Sequence, residues 1–301
     1  MLKTLSNISI MPSFYCNYSC EYCYLGNLTK NKNLLSLEKL STRLTELQKE
    51  YIIESSTIYG GEISLLDDSY LYDLYQLIKN IKPTFITNFS NTKILEFCLL
   101  NNCNCGISLN KERPFYEKTL LNLKNFKHLP IISLSVVVLP SLLNENIFTL
   151  LDMYEELGFD VNFIQYHPSI YSKKVYNITT KDYILFLDKI IHEKNKHNYK
   201  FTICNEIILR DSKYSPLADS FVFLNPNGNF SSIKYKESIE YPVEFQTLQQ
   251  WKDFCNEEKI WYNKNCKDCK YFTKCKAEHL IEIDKPYCSG LYYLLNKMKV
   301  N

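Results

Sequence analysis

The stretch Ser6-Asn7-Ile8-Ser9-Ile10-Met11, followed four residues later by Cys16-Asn17-Tyr18-Ser19-Cys20-Glu21-Tyr22-Cys23, decides the fold. The first part is rich in β-branched residues and predicts a strand, and the second is polar and predicts a loop after that strand. Three thiolates in such a loop, the first cysteine group, can hold three corners of a 4Fe–4S cluster and leave one iron without a protein ligand. The alternative is a helix face of buried thiols, which the polar sequence does not favour.

Beyond this loop, β-rich runs alternate with helical stretches. Ser36 caps a predicted helix in which Leu37, Leu40, Leu44 and Leu47 share one face. Further strands are predicted at 57–59, 84–87, 105–109, 131–139 and 161–166, and further helices at 69–79, 92–100, 114–125, 144–157 and 180–193. Such alternation predicts parallel pairing, and six units are too few for a closed eight-stranded barrel. We therefore expect an α/β fold, a partial (β/α)6 TIM-like barrel with its chemistry at the carboxyl ends of the strands.

The character of the sequence changes near residue 200, where we place a domain boundary. Two β-rich runs, 221–224 and 229–235, flank the turn signal Asn225-Pro226-Asn227-Gly228. Helices are predicted at 245–255 and 291–297, on either side of a lysine- and cysteine-rich segment. The expected domains are the partial barrel, 1–200, and a small α+β cluster-binding domain, 201–301.

Composition excludes several classes of protein. The chain has 301 residues, of which 46% are hydrophobic and 23% charged, and a formal net charge of +2, values that are ordinary for a soluble globular protein. No block of like charge indicates nucleic acid as a partner, and neither a signal peptide nor an apolar run of roughly 20 residues indicates a membrane. We expect a cytoplasmic protein, in which twelve cysteines are better candidates for metal ligands than for disulfides.

The spacing of the first cysteine group, with the aromatic Tyr22 before its last cysteine, resembles the signature of the radical SAM superfamily. The resemblance implies that Cys16, Cys20 and Cys23 hold a 4Fe–4S cluster whose open iron binds S-adenosylmethionine (SAM). It also implies reductive cleavage of SAM to a 5′-deoxyadenosyl radical, with the electron supplied by a flavodoxin- or ferredoxin-type donor.

Other motifs of the superfamily follow in the expected order. Gly60-Gly61-Glu62 after the second strand resembles the motif that holds the methionyl ammonium, although a plain turn would also explain it. Thr87-Asn88-Phe89 lacks the glycine of the usual Thr-Asn-Gly, and Ser108-Leu109-Asn110 has Asn where Asp is usual. Ser108 remains a candidate carboxylate contact, or a structural strand serine. The implied cofactor-binding residues are Tyr22, Gly60, Gly61, Glu62 and Ser108.

A second cysteine group consists of Cys266, Cys269, Cys275 and Cys288. Four thiolates fit either a closed 4Fe–4S cluster or a tetrahedral structural zinc site, and their spacing does not decide between the two.

The region around this second group resembles the SPASM extension of radical SAM enzymes in a reduced form. Ile233 stands where a cysteine is expected after the hairpin glycine, and residues 212–219 contain no cysteine. A third cysteine, expected three residues after Cys275, is also absent, and His279 is the nearest metal-binding residue type. All three positions belong to the first auxiliary cluster of the full pattern. The resemblance therefore implies one auxiliary 4Fe–4S cluster on the second cysteine group, and loss of the other.

The resemblance to SPASM-type enzymes also implies a substrate class. The substrate would be a residue of a ribosomally made peptide or protein, which is oxidised, crosslinked or epimerised. Because Cys16 stands too near the start of the sequence for a fused leader-binding domain, we expect another surface or a separate leader-peptide-binding protein. One alternative is a radical SAM enzyme acting on a small molecule, such as a cofactor precursor or sugar. The other is a non-catalytic iron–sulfur or zinc-binding interaction protein.

Candidates for a second catalytic group are few. Cys204 and Cys255 lie outside both cysteine groups and are candidate hydrogen-atom donors, although buried inert thiols would explain both. Tyr24, Gln165 and His167 stand at predicted carboxyl ends of strands or in loops, where a substrate could lie. A satisfied loop histidine explains His167 equally well.

Overall fold

The computed structural model describes residues 2–127, 129–210, 221–236, 239–271, 288 and 292–298. Its strands are β1 (Lys3–Leu5), β2 (Asn7–Ile10), β3 (Tyr51–Ile53), β4 (Ser56–Ile58), β5 (Pro83–Thr87), β6 (Asn104–Ser108), β7 (Ile132–Val138), β8 (Asp160–Gln165), β9 (Phe221–Leu224), β10 (Phe230–Lys236) and β11 (Ile239–Phe245). Its α-helices are α1 (Leu37–Gln48), α2 (Asp68–Ile78), α3 (Lys93–Asn101), α4 (Tyr116–Lys124), α5 (Pro140–Leu143), α6 (Ile147–Leu157), α7 (Thr180–Lys196), α8 (Cys204–Arg210), α9 (Leu248–Cys266) and α10 (Tyr292–Lys297). Short 3-10 helices lie at Gly26–Lys30 and Ile63–Leu65.

Nine of these strands form one sheet in the order β11-β10-β9-β2-β4-β5-β6-β7-β8. All neighbours from β9 to β8 are parallel, whereas β9, β10 and β11 form an antiparallel meander. Within the part of the chain that the structure describes, the two edge strands do not pair with each other, so the sheet is open. The predicted α/β fold with a large, mostly parallel sheet is confirmed.

The core of the first strand–helix unit shows why the local predictions hold. Leu40, Leu44 and Leu47 of α1 are all buried, because residues at this spacing share one helix face. The Ser36 side chain accepts the Lys39 N–H at 3.4 Å and caps the helix, as predicted. Further along the chain, the burial of β7 alternates strictly along its seven residues, with one face packed into the main core.

The C-terminal third differs from its prediction in two ways. β9 pairs in parallel with β2, from Asn7↔Phe221 to Ile10↔Leu224, so it extends the sheet of the first 200 residues. In addition, the strand β11 was not predicted; the helix predicted over 245–255 is present as α9, which begins at Leu248 and runs on to Cys266. The domain boundary near residue 200 stays a prediction. No helix among the described residues is long and apolar enough to span a membrane.

Candidate metal centre at the carboxyl end of the sheet

The first cysteine group lies in the loop that follows β2, at the carboxyl ends of the parallel strands. Backbone hydrogen bonds fold this loop tightly: the Cys16 N–H donates to Thr29 O at 3.0 Å, and the Cys23 N–H donates to Cys20 O at 3.2 Å. Cys20 is buried and the other two thiols are half-buried. Because residues 14–23 form turns and irregular backbone, a helix face of buried thiols is excluded.

The environment of the first thiol shows that the three cysteines are neighbours. Burial raises the pKa of Cys16 to about 11; the Tyr18 N–H, 3.3 Å from Cys16 Sγ, lowers it, and the charges of Glu62, Cys23 and Cys20 raise it. Gathering three thiolates and a carboxylate is unfavourable without a cation, and an iron centre held by these cysteines would supply that cation.

The donor set fits a 4Fe–4S cluster. Each of the three thiolates binds a different iron of such a cluster, so their sulfur atoms need not meet at one point. Among the described residues, no three His, Cys, Asp or Glu side chains lie close enough to hold a single metal ion. The first cysteine group has the donors of a cluster with one open iron.

Gly60-Gly61-Glu62, at the end of β4, packs directly against the backbone that leads into Cys16. The Gly61 N–H donates to Ser13 O at 2.9 Å, and the Glu62 N–H donates to Tyr15 O at 2.8 Å. A Cβ on Gly61 would lie 2.0 Å from Tyr15 O, so a side chain there would push the two segments apart. The glycines therefore permit the close approach of the segment after β4 to the cysteine loop.

The Glu62 side chain is buried, with 3% of its surface exposed, beside this loop. Its Oε1 accepts the Ser64 N–H at 2.9 Å and the Thr87 hydroxyl at 2.6 Å, and its Oε2 accepts the Asn88 N–H at 2.6 Å. All three donors are neutral, and within the described residues no cation pairs with the carboxylate. A buried, hydrogen-bonded carboxylate without a cation is a suitable partner for a ligand ammonium.

The turn after β5 has Phe89 at the position where the family pattern expects glycine. Phe89 has a φ of 58°, in the left-handed region, at a cost of roughly 1–2 kcal/mol. Its ring is fully buried and packs edge-on against Phe126, with the centroids 6.1 Å apart. Burial of such a ring contributes about 1.5–3 kcal/mol, which offsets the cost.

Ser108 and Asn110 stand at the end of β6. Ser108 is half-buried and pairs with Ser135 of β7. The Asn110 amide donates to Val137 O at 2.7 Å and accepts the Val137 N–H at 3.1 Å. A carboxylate could not donate to that carbonyl, which explains why Asn replaces the Asp of the family pattern.

Arg113 is a site residue that the sequence did not single out. Its Nε donates to the Tyr22 hydroxyl at 2.9 Å, and the guanidinium lies 6.0 Å from the Tyr22 ring centroid. Burial opposes its charge, yet Tyr22 and Cys20 raise the pKa of Arg113 above its ordinary value. No carboxylate pairs with it among the described residues. The sequence offers one signal that could have pointed to Arg113, namely that only three of the 35 basic residues are arginines.

A segment after β8, residues 166–176, lies across the cysteine loop and is called the strap here. The Ser169 hydroxyl donates to Tyr24 O, and the Lys174 N–H donates to Glu21 O at 3.0 Å. A Cβ on Gly26 would lie 1.6 Å from Tyr171 O, so this contact also requires glycine. The strap thus closes one side of the cysteine loop.

The same strap joins the loop to the C-terminal meander. The Glu240 N–H donates to Pro168 O at 2.8 Å, and the Ile170 N–H donates to Glu240 O at 3.2 Å. Three distant parts of the chain therefore meet at this point, namely the cysteine loop, the strap and β11.

The three loop candidates have defined surroundings. The Tyr24 hydroxyl lies 3.8 Å from Met11 Sδ, and burial raises the pKa of Tyr24 well above its ordinary value. The Gln165 amide donates to the Thr180 hydroxyl at 2.9 Å, at the start of α7, which is a structural contact. His167 is half-buried and lies within the strap.

The structure does not bring the two candidate hydrogen-atom donors to the first cysteine group. Cys204 begins α8, and burial and the charge of Asp160 raise its pKa to about 11. Asp160 begins β8, so Cys204 lies at the amino ends of the strands, opposite the cysteine loop. Cys255 lies within α9 and is 2% exposed in the main core. The donor role of both residues stays a prediction.

Only part of the second cysteine group falls within the described residues. Cys266 ends α9, the Cys269 N–H donates to Cys266 O at 2.9 Å, and Cys288 is buried. Cys275 lies outside the described residues, so the four-cysteine site stays a prediction.

Comparisons with known proteins agree with this geometry. The sequence is 22% identical over 334 residues to a cysteine-type anaerobic sulfatase-maturating enzyme of Clostridium novyi (strain NT), covering 92% of this chain and 88% of that protein. It is 29% identical over 90 residues to a probable GTP 3′,8-cyclase of Sulfurisphaera tokodaii, covering 30% of this chain and 27% of that protein. No protein-family model matches the sequence.

Two solved structures share the fold along nearly the whole chain. Native anSMEcpe with bound AdoMet and the Cp18Cys peptide has a TM-score of 0.68 at 18% identity, over 97% of this chain and 95% of that one. Streptococcus suis SuiB bound to its precursor peptide SuiA has a TM-score of 0.65 at 16% identity, over 93% and 73%. These structural neighbours are radical SAM enzymes, and the chain has their fold.

Proposed function

We propose that this chain is a radical SAM enzyme whose substrate is a residue of a ribosomally made peptide or protein. The observation that carries the proposal is the first cysteine group lying beside the buried Glu62 carboxylate, which no cation pairs among the described residues. Three thiolates leave one iron open, and the carboxylate next to them offers a place for the methionyl ammonium of SAM. When bound by Cys16, Cys20 and Cys23, such a cluster would supply the electron for reductive cleavage of SAM.

The residues around the cluster position SAM and limit water. Glu62, fixed by Ser64, Thr87 and Asn88, holds the methionyl ammonium. Arg113 has five N–H donors, of which one goes to Tyr22, and the rest can bind the methionyl carboxylate. Ser108 is a further carboxylate contact in this proposal.

Apolar side chains enclose the cluster loop. Tyr18, Tyr22, Leu139 and Tyr166 form one buried group with Cys20. Water kept away from the radical cannot quench or divert it, and the low dielectric strengthens the contacts of Glu62 with SAM.

Two findings support a peptide as the substrate. The relative that is aligned over 92% of this chain is a sulfatase-maturating enzyme. Two solved structures of the same fold hold peptides, Cp18Cys and SuiA. The cyclase match, which would favour a small molecule, covers 30% of the chain. A flavodoxin- or ferredoxin-type donor supplies the electron in this proposal.

The second cysteine group holds one auxiliary 4Fe–4S cluster in this proposal. Iron and sulfide analysis of the reconstituted protein should then give about eight irons per chain, from two clusters. A result of about four irons with one zinc would replace the auxiliary cluster with a structural zinc site.

The enzyme proposal is tested by anaerobic incubation of the reconstituted protein with dithionite and SAM. We expect 5′-deoxyadenosine in the complete mixture and none when dithionite is omitted. If the protein carries its full iron and still forms no 5′-deoxyadenosine, the enzymatic proposal fails and the non-catalytic alternative stands. Mass spectrometry of candidate peptides co-expressed anaerobically with the protein then tests the substrate class.

A further inference from the structure

The turn after β5 brings an amide to the first cysteine group from outside the cysteine loop. Asn88 is buried, with 5% of its surface exposed, and its Nδ2 lies 2.9 Å from Asn17 Oδ1 and 3.8 Å from Cys16 Sγ. The amino group has two hydrogens, so it can donate to both acceptors at once. One of these acceptors is the sulfur that we assign to the cluster.

The orientation of this amide is fixed by contacts on every side. The Asn88 backbone N–H donates to Glu62 Oε2 at 2.6 Å, and its side-chain Oδ1 accepts the Ser90 N–H at 2.9 Å. Because Oδ1 is committed to the Ser90 N–H, Nδ2 must be the atom that faces Cys16. The buried, left-handed Phe89 holds the turn between them.

We propose that Asn88 is a positioning residue that raises the reduction potential of the cluster through its hydrogen bond to Cys16. The inference rests on the proposed function. Reduction adds negative charge to the iron centre and its sulfur ligands, and an N–H donor aimed at one of these sulfurs stabilises that charge. Without the donor, the cluster is harder to reduce and SAM is cleaved more slowly by the same electron donor.

The test uses two substitutions at Asn88 that separate the donor from the turn. Asn88→Ala removes both the Nδ2 donor and the Oδ1 acceptor. Asn88→Asp keeps the acceptor for the Ser90 N–H, and therefore the turn, but removes the donor and adds a negative charge. The matched control is Asn91→Ala, which removes an amide of the same turn that donates to the Ser64 hydroxyl at 3.3 Å.

The readout is the midpoint potential of the first cluster, from redox titrations followed by electron paramagnetic resonance on proteins of equal iron content. We expect a more negative midpoint for Asn88→Ala, a shift at least as large for Asn88→Asp, and no shift for Asn91→Ala. If Asn88→Ala does not retain iron, Asn88→Asp and the control decide.

Two results overturn the inference. A wild-type midpoint in Asn88→Asp shows that the residue serves the turn, and an equal shift in Asn91→Ala shows that any damage to the turn moves the potential. Failure of the proposed function is distinct, because then the wild-type protein itself holds no reducible cluster or forms no 5′-deoxyadenosine. If the wild type does both and the Asn88 midpoints stay unchanged, this inference alone fails.

Discussion

Two sets of three cysteines lie at opposite ends of the parallel sheet. The first cysteine group follows β2 at the carboxyl ends of the strands. The core cysteine set consists of Cys98 in α3, Cys103 in the turn after α3, and Cys105 at the start of β6. Their side chains are 0%, 6% and 0% exposed in the main core. The two sets share residue type and number, so their different surroundings decide what each can do.

The core cysteine set is held together by contacts among its own thiols, and the hydrogen bond with Cys98 lowers the pKa of Cys103 below its ordinary value. Hydrogen bonds with Cys103 and Cys105, and then burial, raise the pKa of Cys98 far above its ordinary value, and its thiol also donates to Asn104 O at 3.4 Å. Protonated thiols of this kind pack as small hydrophobic side chains. The first cysteine group instead has a buried carboxylate, an arginine and backbone donors around it. In the proposed function, this placement allows the first cysteine group to bind iron, and the number of thiols and their closeness in sequence do not suffice.

The largest expected effect separates the two sets by iron content. Cys16→Ala should lower the bound iron by about four per chain and abolish formation of 5′-deoxyadenosine, because the cluster loses a corner ligand. Cys98→Ala, the matched control, should leave both quantities at wild-type values. Loss of iron from Cys98→Ala would show that the core cysteine set also binds iron, which would contradict the distinction between the two sets.

The next effect concerns Glu62, the buried carboxylate beside the first cysteine group. Glu62→Gln keeps the size of the side chain but removes the charge that faces the SAM ammonium, a contact of about 1.5–3 kcal/mol. We expect the Kd for SAM to rise by about 10–150-fold while iron is retained, as measured by equilibrium dialysis. Glu96→Gln, at an exposed position on α3, is the control and should bind SAM normally. An unchanged Kd in Glu62→Gln would remove Glu62 from the cofactor site.

The smallest effect is on stability, where a substitution in the core cysteine set should cost more than one in the first cysteine group. In protein without cluster, Cys98→Ala should lower the free energy of unfolding by about 1–2 kcal/mol, because it leaves a small cavity in a close-packed core. Cys16→Ala should change it by no more than about 0.5 kcal/mol, since the Cys16 side chain is half-buried in a loop. Urea unfolding of the three proteins measures the difference. Equal destabilisation by both substitutions would contradict the assigned environments.

Local chemistry made much of this molecule predictable. The Ser36 cap, the leucine face of α1 and the alternation of strands and helices depend on neighbours a few residues apart. The spacing of the first cysteine group likewise needs no knowledge of distant segments. The Asn at position 110 is visible in the sequence as a departure from the family pattern. Its physical reason is the pair of hydrogen bonds to Val137 of the neighbouring strand β7, which the sequence does not reveal.

The unpredicted features depend on contacts between distant segments. Asn88 meets Cys16 across 72 residues, and Arg113 meets Tyr22 across 91. The pairing of β9 with β2 joins residues more than 200 apart in sequence. Neither hydrophobic period nor turn chemistry specifies such partners, because they are selected by the packing of the whole sheet.

The position of β2 between β4 and β9 has a consequence for how the protein is made. A ribosome adds about 5–20 residues per second, so β9 follows β2 by about 10–40 s of synthesis. Through that interval one edge of β2 is unpaired, and the strap that lies across the cysteine loop still lacks its hydrogen bonds to β11. The surroundings of the cysteine loop are therefore completed only when the last third of the chain has been synthesised.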